Sequence, residues 1–131
     1  MKGIKIGEKL IRYIVVEKYQ LASNVGSGDT DVFATPMVVN VMESVSAELL
    51  SKYLDIQSTS VGVMININHI APTLAGTKVK FVSELINIDN RRYEFYVEAY
   101  DNAGLIAKGN HIRVVLDKER FMKKAKERSQ Q

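Results

Sequence analysis

Three residues of this chain carry the groups needed to move protons around an activated carbonyl: Thr35, Glu43 and His69. A threonine hydroxyl becomes nucleophilic when a base takes its proton, a histidine titrates near neutrality, and a partly desolvated carboxylate suits general-base work. Each also has an ordinary reading. Thr35 precedes Pro36, and a Thr-Pro pair before an amphipathic run predicts a helix N-cap with proline at the first helical position, stabilising by about 1 kcal/mol. Glu43 falls beside Val39, Ala47 and Leu50, at the border of the apolar face, where a glutamate is usually solvated. His69 ends the alternating series Val61, Val63, Ile65, Ile67, which turns its imidazole toward the buried face.

Secondary candidates are Gly62, whose bare backbone inside a strand permits close approach by a ligand or by the helix, and Arg113, near a strand end, where a guanidinium holds phosphate or carboxylate or is simply solvated. His111 shares parity with Leu105, Ala107 and Gly109 and reads as structural. Two histidines on different strands, with no H-x-x-x-H spacing or acidic cluster, argue against a metal site. The chain has no cysteine, which excludes a thiol nucleophile, a disulfide and a thiolate metal centre. Eight helical residues span about 12 Å, so Thr35 and Glu43 do not hydrogen-bond directly on one straight helix. Either the helix starts later, or the two groups meet through substrate, water or a second subunit.

The elements that must position these residues are legible. Residues 4–19, rich in Ile, Val and Tyr, read as one extended segment, and 22–31 as a polar loop. Val38, Val41, Met42, Val45, Leu49 and Tyr53 recur at helical spacing, predicting an amphipathic helix to about Tyr53 with Asn40, Ser44, Glu48 and Ser51 on its polar face. Four strands follow, at 59–70, 77–88, from Tyr93 to about Ala99, and 105–116, joined by short connections that make the sheet antiparallel. A short charged helix is expected from Lys118 to Arg128. One long helix and one sheet bury each other's apolar faces, which gives a two-layer α+β class. A helix inserted after the first strand and wrapped by a curved five-stranded antiparallel sheet is the hotdog arrangement, with 1–131 as a single domain and 118–131 as a C-terminal helix and basic tail.

Composition narrows the function. At 131 residues, 46% hydrophobic and 25% charged, the chain suits one globular domain. Its net charge of +3 resides in the segment from Asp117 onward, the rest being balanced, so nucleic acid is not an expected partner. No apolar run approaches the roughly 20 residues of a membrane span, and charges interrupt the N-terminal apolar residues where a signal peptide would be continuous. A cytoplasmic location with no membrane partner is expected.

The runs V-F-A-T-P at 32–36, M-E at 42–43, S-V-G-V-M-I-N-I-N-H-I-A-P-T-L-A-G-T-K-V at 60–79, V-E-A-Y-D at 97–101, G-N-H-I-R at 109–113 and D-K-E-R-F at 117–121 resemble the fluoroacetyl-CoA thioesterase branch of the hotdog superfamily. The resemblance extends from about Gly7 to Phe121. It implies a homodimeric acyl-CoA hydrolase with Thr35 as the hydroxyl member, Glu43 as the carboxylate and His69 as the imidazole of the catalytic group. It also implies Gly62 beside the thioester and Arg113 in contact with the ligand. No cofactor is implied beyond the coenzyme A of the substrate. The family's fluoroacetyl-specific enzyme has a longer loop before the helix, with phenylalanines that gate the acyl pocket. Residues 17–31 here hold Tyr19 as their one aromatic, so another short acyl group, or a broader range, is expected.

Hotdog domains also host hydratases, dehydratases and non-catalytic acyl-CoA-binding modules, and fold alone does not choose among them. A helix-borne Glu43 with Thr35 upstream favours hydrolysis over the paired Asp and His of a hydratase. Open sheet edges favour a homodimer, or a higher homo-oligomer, joined into one continuous sheet.

Overall fold

The structure is a computed structural model and describes residues 3–130; Met1, Lys2 and Gln131, at the ends of the expected single domain, lie outside the described residues. The chain forms β1 (Lys9–Val15), a 3-10 turn (Lys18–Gln20), a helical turn α1 (Ala22–Val25) and the long helix α2 (Thr35–Ser51). Then come β2 (Ser58–His69), β3 (Lys78–Asp89), β4 (Arg92–Asp101), β5 (Gly104–Asp117) and α3 (Lys118–Ser129). The expected extended segment over 4–19 contracts to β1 and the 3-10 turn, in which Gln20 and Glu17 form a reciprocal cap. The polar loop contains α1, closed by Gly26 in the left-handed conformation.

The five strands form one antiparallel sheet in the order β1-β3-β4-β5-β2. Helix α2 lies against its inner face. Val38, Met42, Val45 and Leu49 from the helix meet Val79, Phe81 and Leu85 of β3 and Phe95 and Val97 of β4, all essentially inaccessible to water. Phe33, just before the helix, packs edge-to-face on Phe81 with centroids 6.3 Å apart. The buried Ser46 hydroxyl reaches Met42 O and Ser83 Oγ, each at 2.8 Å, so the polar group inside this interface is satisfied. At the outer side of the helix, Arg12 of β1 donates to Ser44 Oγ at 2.8 Å and pairs with Glu48 at 2.5 Å.

A sheet that wraps one helix must curve, and register shifts supply the curvature. Val63 is the extra residue in β2, Ile86 in β3 and Ile106 in β5. The shift at Val63 corrects the expected alternation: Val61 and Val63 do not share the inner face with Ile65, Ile67 and His69. Instead Gly62, opposite Arg113, and Ser60, opposite Val115, turn inward, while Val63 is 49% exposed. Close strand approach is greatest at Gly109, where an added Cβ would lie 2.0 Å from Asn66 O and 2.7 Å from Ile67 Cα. Those are backbone atoms that cannot yield cheaply. We expect Gly109→Ala to destabilise the protein by about 3 kcal/mol, read as a lower urea midpoint at unchanged slope.

Candidate active site

Helix α2 begins where two backbone hydrogen bonds fix the chain. Phe33 N donates to Thr73 O at 2.8 Å, and Ala34 N donates to Gln20 O at 2.9 Å. Ala34 therefore serves as the N-cap, without a side-chain cap, and Thr35 is the first helical residue. This corrects the expectation that Thr35 caps the helix. Its hydroxyl is free for another partner, and Oγ1 lies 2.7 Å from Nδ1 of His69. His69 closes β2 opposite Ala107 and faces inward. The two side chains line a cleft of about 330 Å³, whose wall includes Ser27, Gly28 and Thr30 of the loop after α1 and Pro72.

The ring of His69 is half-buried, and its Nε2 is buried without a hydrogen-bond partner among the described residues. Burial lowers the pKa of His69 below the ordinary 6.5, partly opposed by the Ala71 backbone. In the tautomer protonated on Nε2, Nδ1 is the acceptor for the Thr35 hydroxyl proton. The unpaired Nε2 costs about 1–3 kcal/mol, a cost of the kind that accompanies functional sites. Thr35 also sits at the positive end of the α2 dipole, which favours negative charge developing beside it.

Glu43, Gly62 and Arg113 come together elsewhere, two turns along the helix. An added Cβ on Gly62 would meet His111 Cε1 at 3.1 Å, Arg113 Nη1 at 3.4 Å and Glu43 Cδ at 3.8 Å. Gly62 thus leaves room for three polar groups to converge on it. Arg113 is nearly buried. Its Nε donates to Ser60 Oγ at 2.9 Å, Nη2 to Ser60 O at 2.9 Å, and Nη1 to His111 Nε2 at 3.2 Å. His111, fully buried, completes the chain with Nδ1 2.8 Å from Met64 O.

The protonation of His111 follows from its neighbours. A carbonyl only accepts and a guanidinium only donates, so Nδ1 carries the proton and Nε2 is bare. Burial, and then the Arg113 charge, hold its pKa below 6.5 against the opposing Met64 carbonyl and Glu43 carboxylate. Burial also lowers Arg113, while Glu43 supports its protonation. Ser60 and the bridging role of His111 were missed by the pattern reading. The available signal was that Ser60 precedes Gly62 by two residues and so shares its face.

The site residues therefore form two groups in one chain: Thr35 with His69, and Glu43 with Gly62, Arg113, His111 and Ser60. No hydrogen bond joins Glu43 to Thr35 or His69, in keeping with the helical spacing. Among the described residues no three His, Asp or Glu side chains gather as a metal-ligand set.

Residues 16–119 match the model of the fluoroacetyl-CoA-specific thioesterase (FlK) family. The chain belongs to that family. Within the FlK family, it is 28% identical to the fluoroacetyl-CoA thioesterase of Streptantibioticus cattleyicolor, over 97% of this chain and 96% of the relative. An alanine variant of the fluoroacetyl-CoA-specific thioesterase FlK, solved in complex with fluoroacetate and CoA, superposes with a TM-score of 0.86 at 28% identity, covering 90% of this chain and 99% of that one. A hot-dog-like protein from Thermanaerovibrio acidaminovorans shares the fold at 24% identity, with a TM-score of 0.87 over 94% of this chain and 91% of its own. The α+β hotdog class thus joins the FlK-family membership.

Two outcomes are expected of the histidines. His111→Gln, which can still donate to Met64 O and accept from Arg113, should retain more stability than the better space-filling His111→Phe, which leaves both partners unpaired at a cost of about 2–3 kcal/mol. Urea denaturation of the two variants separates bridging from packing. Both histidines are lowered on folding, so the unfolded chain takes up protons first as pH falls. Their contribution is complete above the unfolded pKa of about 6.5, diminishes as pH falls from there toward the folded values, and then levels off. Urea midpoints that stay flat or rise across that window contradict this assignment.

Proposed function

We propose that this protein hydrolyses short-chain acyl-CoA thioesters, with Thr35, His69 and Glu43 as its catalytic residues. The observation that carries this reading is the 2.7 Å contact between Thr35 Oγ1 and His69 Nδ1 in an open cleft, in a member of a thioesterase family. The contact is that of a hydroxyl with its base. Thr35 attacks the thioester carbonyl as His69 takes its proton, and the dipole of α2 stabilises the oxyanion. The C–S bond then breaks, the proton passes to the departing thiolate, and water releases the acid from Thr35. The small, partly polar wall made by Ser27, Gly28 and Thr30 supports a short acyl group without fluoroacetyl selectivity. No phenylalanine stands in 17–31 to gate the cleft.

Glu43 enters through a homodimer. β2 is an edge strand with an unpaired outer side, and Val63 and Met64 along it are 49% and 37% exposed. Two copies pairing antiparallel through β2, about a twofold axis between Ile65 and Asn66, would set His69 of one strand beside Gly62 of the other. The Thr35–His69 pair of one copy then faces the Glu43–Arg113 group of the second, which overcomes the separation along α2. There Glu43 activates the deacylating water, and Arg113 and Gly62 border the thioester. We propose a cytoplasmic location for the reaction.

Free-thiol release from a panel of short, branched and aromatic acyl-CoAs tests the reading. We expect wild-type turnover, and losses of kcat of about 10²–10⁴-fold in Thr35→Ala, His69→Ala and Glu43→Gln with the fold retained. The acid limb of the kcat/KM profile should have its midpoint below 6.5, because His69 works in its neutral form and burial lowers its pKa. Saturable CoA binding with no turnover would sink the hydrolase in favour of a binding module. A monomer at micromolar concentration by light scattering would remove the shared site. Mixing inactive Thr35→Ala with inactive Glu43→Gln should restore up to half the activity per mixed dimer, since one of its two sites is intact.

A further inference from the structure

His69 and the chain that leads into Thr35 are held by one short segment. It starts at His69, the last residue of β2, and ends at Thr73, whose carbonyl accepts from Phe33 N at 2.8 Å. Between them, Ile70 N and Ala71 N both donate to the carbonyl of Ile106, the extra residue of β5, at 2.7 and 3.3 Å. Thr35 follows two residues after Phe33, and its 2.7 Å contact with His69 Nδ1 joins the two ends. The separation of the two reactive groups therefore depends on where this segment puts the Thr73 carbonyl.

Thr73 is a polar residue with only 3% of its surface exposed, and it is not among the residues lining the cleft. Its Oγ1 donates to Asp101 Oδ2 at 3.0 Å. Asp101 is fixed in turn, because its Oδ1 accepts from Ala103 N at 2.8 Å and from Gly104 N at 3.2 Å in the connection from β4 to β5. Gly104 has a φ of 135° there, which a residue with a Cβ adopts only under strain. An aspartate bound to its own turn is a rigid acceptor. A hydroxyl bonded to it holds the Thr73 backbone in one orientation, a role that a valine of nearly the same shape does not fill.

We propose that Thr73, anchored by Asp101, is a positioning residue for the Thr35–His69 pair, a reading that rests on the hydrolase assignment above. The bond to Asp101 aims the Thr73 carbonyl at Phe33 N. That bond, with the one from Ala34 N to Gln20 O, sets the first turn of α2 and so the place of Thr35 Oγ1. Released from Asp101, the carbonyl shifts, and the displacement passes through Phe33 and Ala34 to the Thr35–His69 contact. Reacting groups tolerate little of this: a misplacement of about 1 Å can cost about 10²-fold in rate.

Thr73→Val keeps the shape and removes the hydroxyl, whereas Thr73→Ser keeps the hydroxyl. With the acyl-CoA that the wild type turns over best, Thr73→Val is expected to lower kcat by about 10- to 10²-fold with KM little changed, and Thr73→Ser to recover most of the loss. Added to Thr35→Ala, Thr73→Val should cost no further activity, because the group it positions is gone. Wild-type kcat in Thr73→Val, or an equal loss in both backgrounds, overturns the proposal. Thr73→Ala gives the same comparison if the valine variant does not fold. Nitrogen NMR supplies a readout that needs no turnover. The imidazole signals of His69, assigned by their absence from His69→Ala, report whether Nδ1 accepts a hydrogen bond at a pH where the ring is neutral. They should move in Thr73→Val in the direction seen in Thr35→Ala and return in Thr73→Ser. Wild-type signals in Thr73→Val, with only the urea midpoint lowered, reduce Thr73 to a structural role. If the wild type hydrolyses no thioester, the hydrolase reading fails, and the NMR comparison decides the positioning by itself.

Discussion

Helix α2 has more apolar surface than a flat sheet can cover. Val38, Val41, Met42, Val45, Leu49 and Leu50 are all buried, and they spread around the helix wider than a single stripe. Covering them requires a sheet that bends around the helix, and burying each such side chain is worth about 1.5–3 kcal/mol. The extra residues at Val63, Ile86 and Ile106 and the close crossing at Gly109 follow from that demand. Each extra residue breaks the regular ladder locally and lets the sheet bend around the helix.

The same curvature builds the site. The irregularity at Val63 changes which β2 residues face the helix, so that Gly62 and Ser60 point at Arg113 while His69 still faces inward at the far end. Without the extra residue, strict alternation through His69 would turn Gly62 outward and put Val63 in its place on the inner face. A bulky Cβ-branched side chain there would occupy the space in which Glu43, His111 and Arg113 meet. A feature needed for packing thereby makes room for polar groups.

The two groups of site residues differ in their electrostatics. Arg113 is locked by Ser60 and by His111, whose own tautomer is fixed between a carbonyl and the guanidinium. This group is rigid and satisfied, suited to orienting charge. The Thr35–His69 pair has a buried nitrogen without a partner, an imidazole whose pKa burial lowers, and a hydroxyl at a helix start that is hydrogen-bonded to that imidazole, and is suited to reaction. The edge position of β2 leaves one side of that strand open for the second copy of the proposed dimer.

Local sequence determined the elements and most of the core. Helical periodicity after Pro36 and two-residue alternation in β3 and β4 are set by backbone geometry, so Val38, Met42, Val79, Phe81, Phe95 and Val97 were readable as buried. Thr35, Glu43 and His69 were readable as reactive types, and the spacing of Thr35 and Glu43 already implied that the two would not hydrogen-bond directly on one straight helix. Tertiary structure decided the rest. Which residue caps α2 depends on hydrogen bonds from Phe33 and Ala34 to Thr73 and Gln20, distant partners that leave Thr35 free for His69. The inner face of β2 depends on its pairing with β5, since a bulge is a property of two strands. The Ser60–Arg113–His111 chain joins residues some fifty positions apart, and periodicity, which acts over a few residues, carries no information at that range.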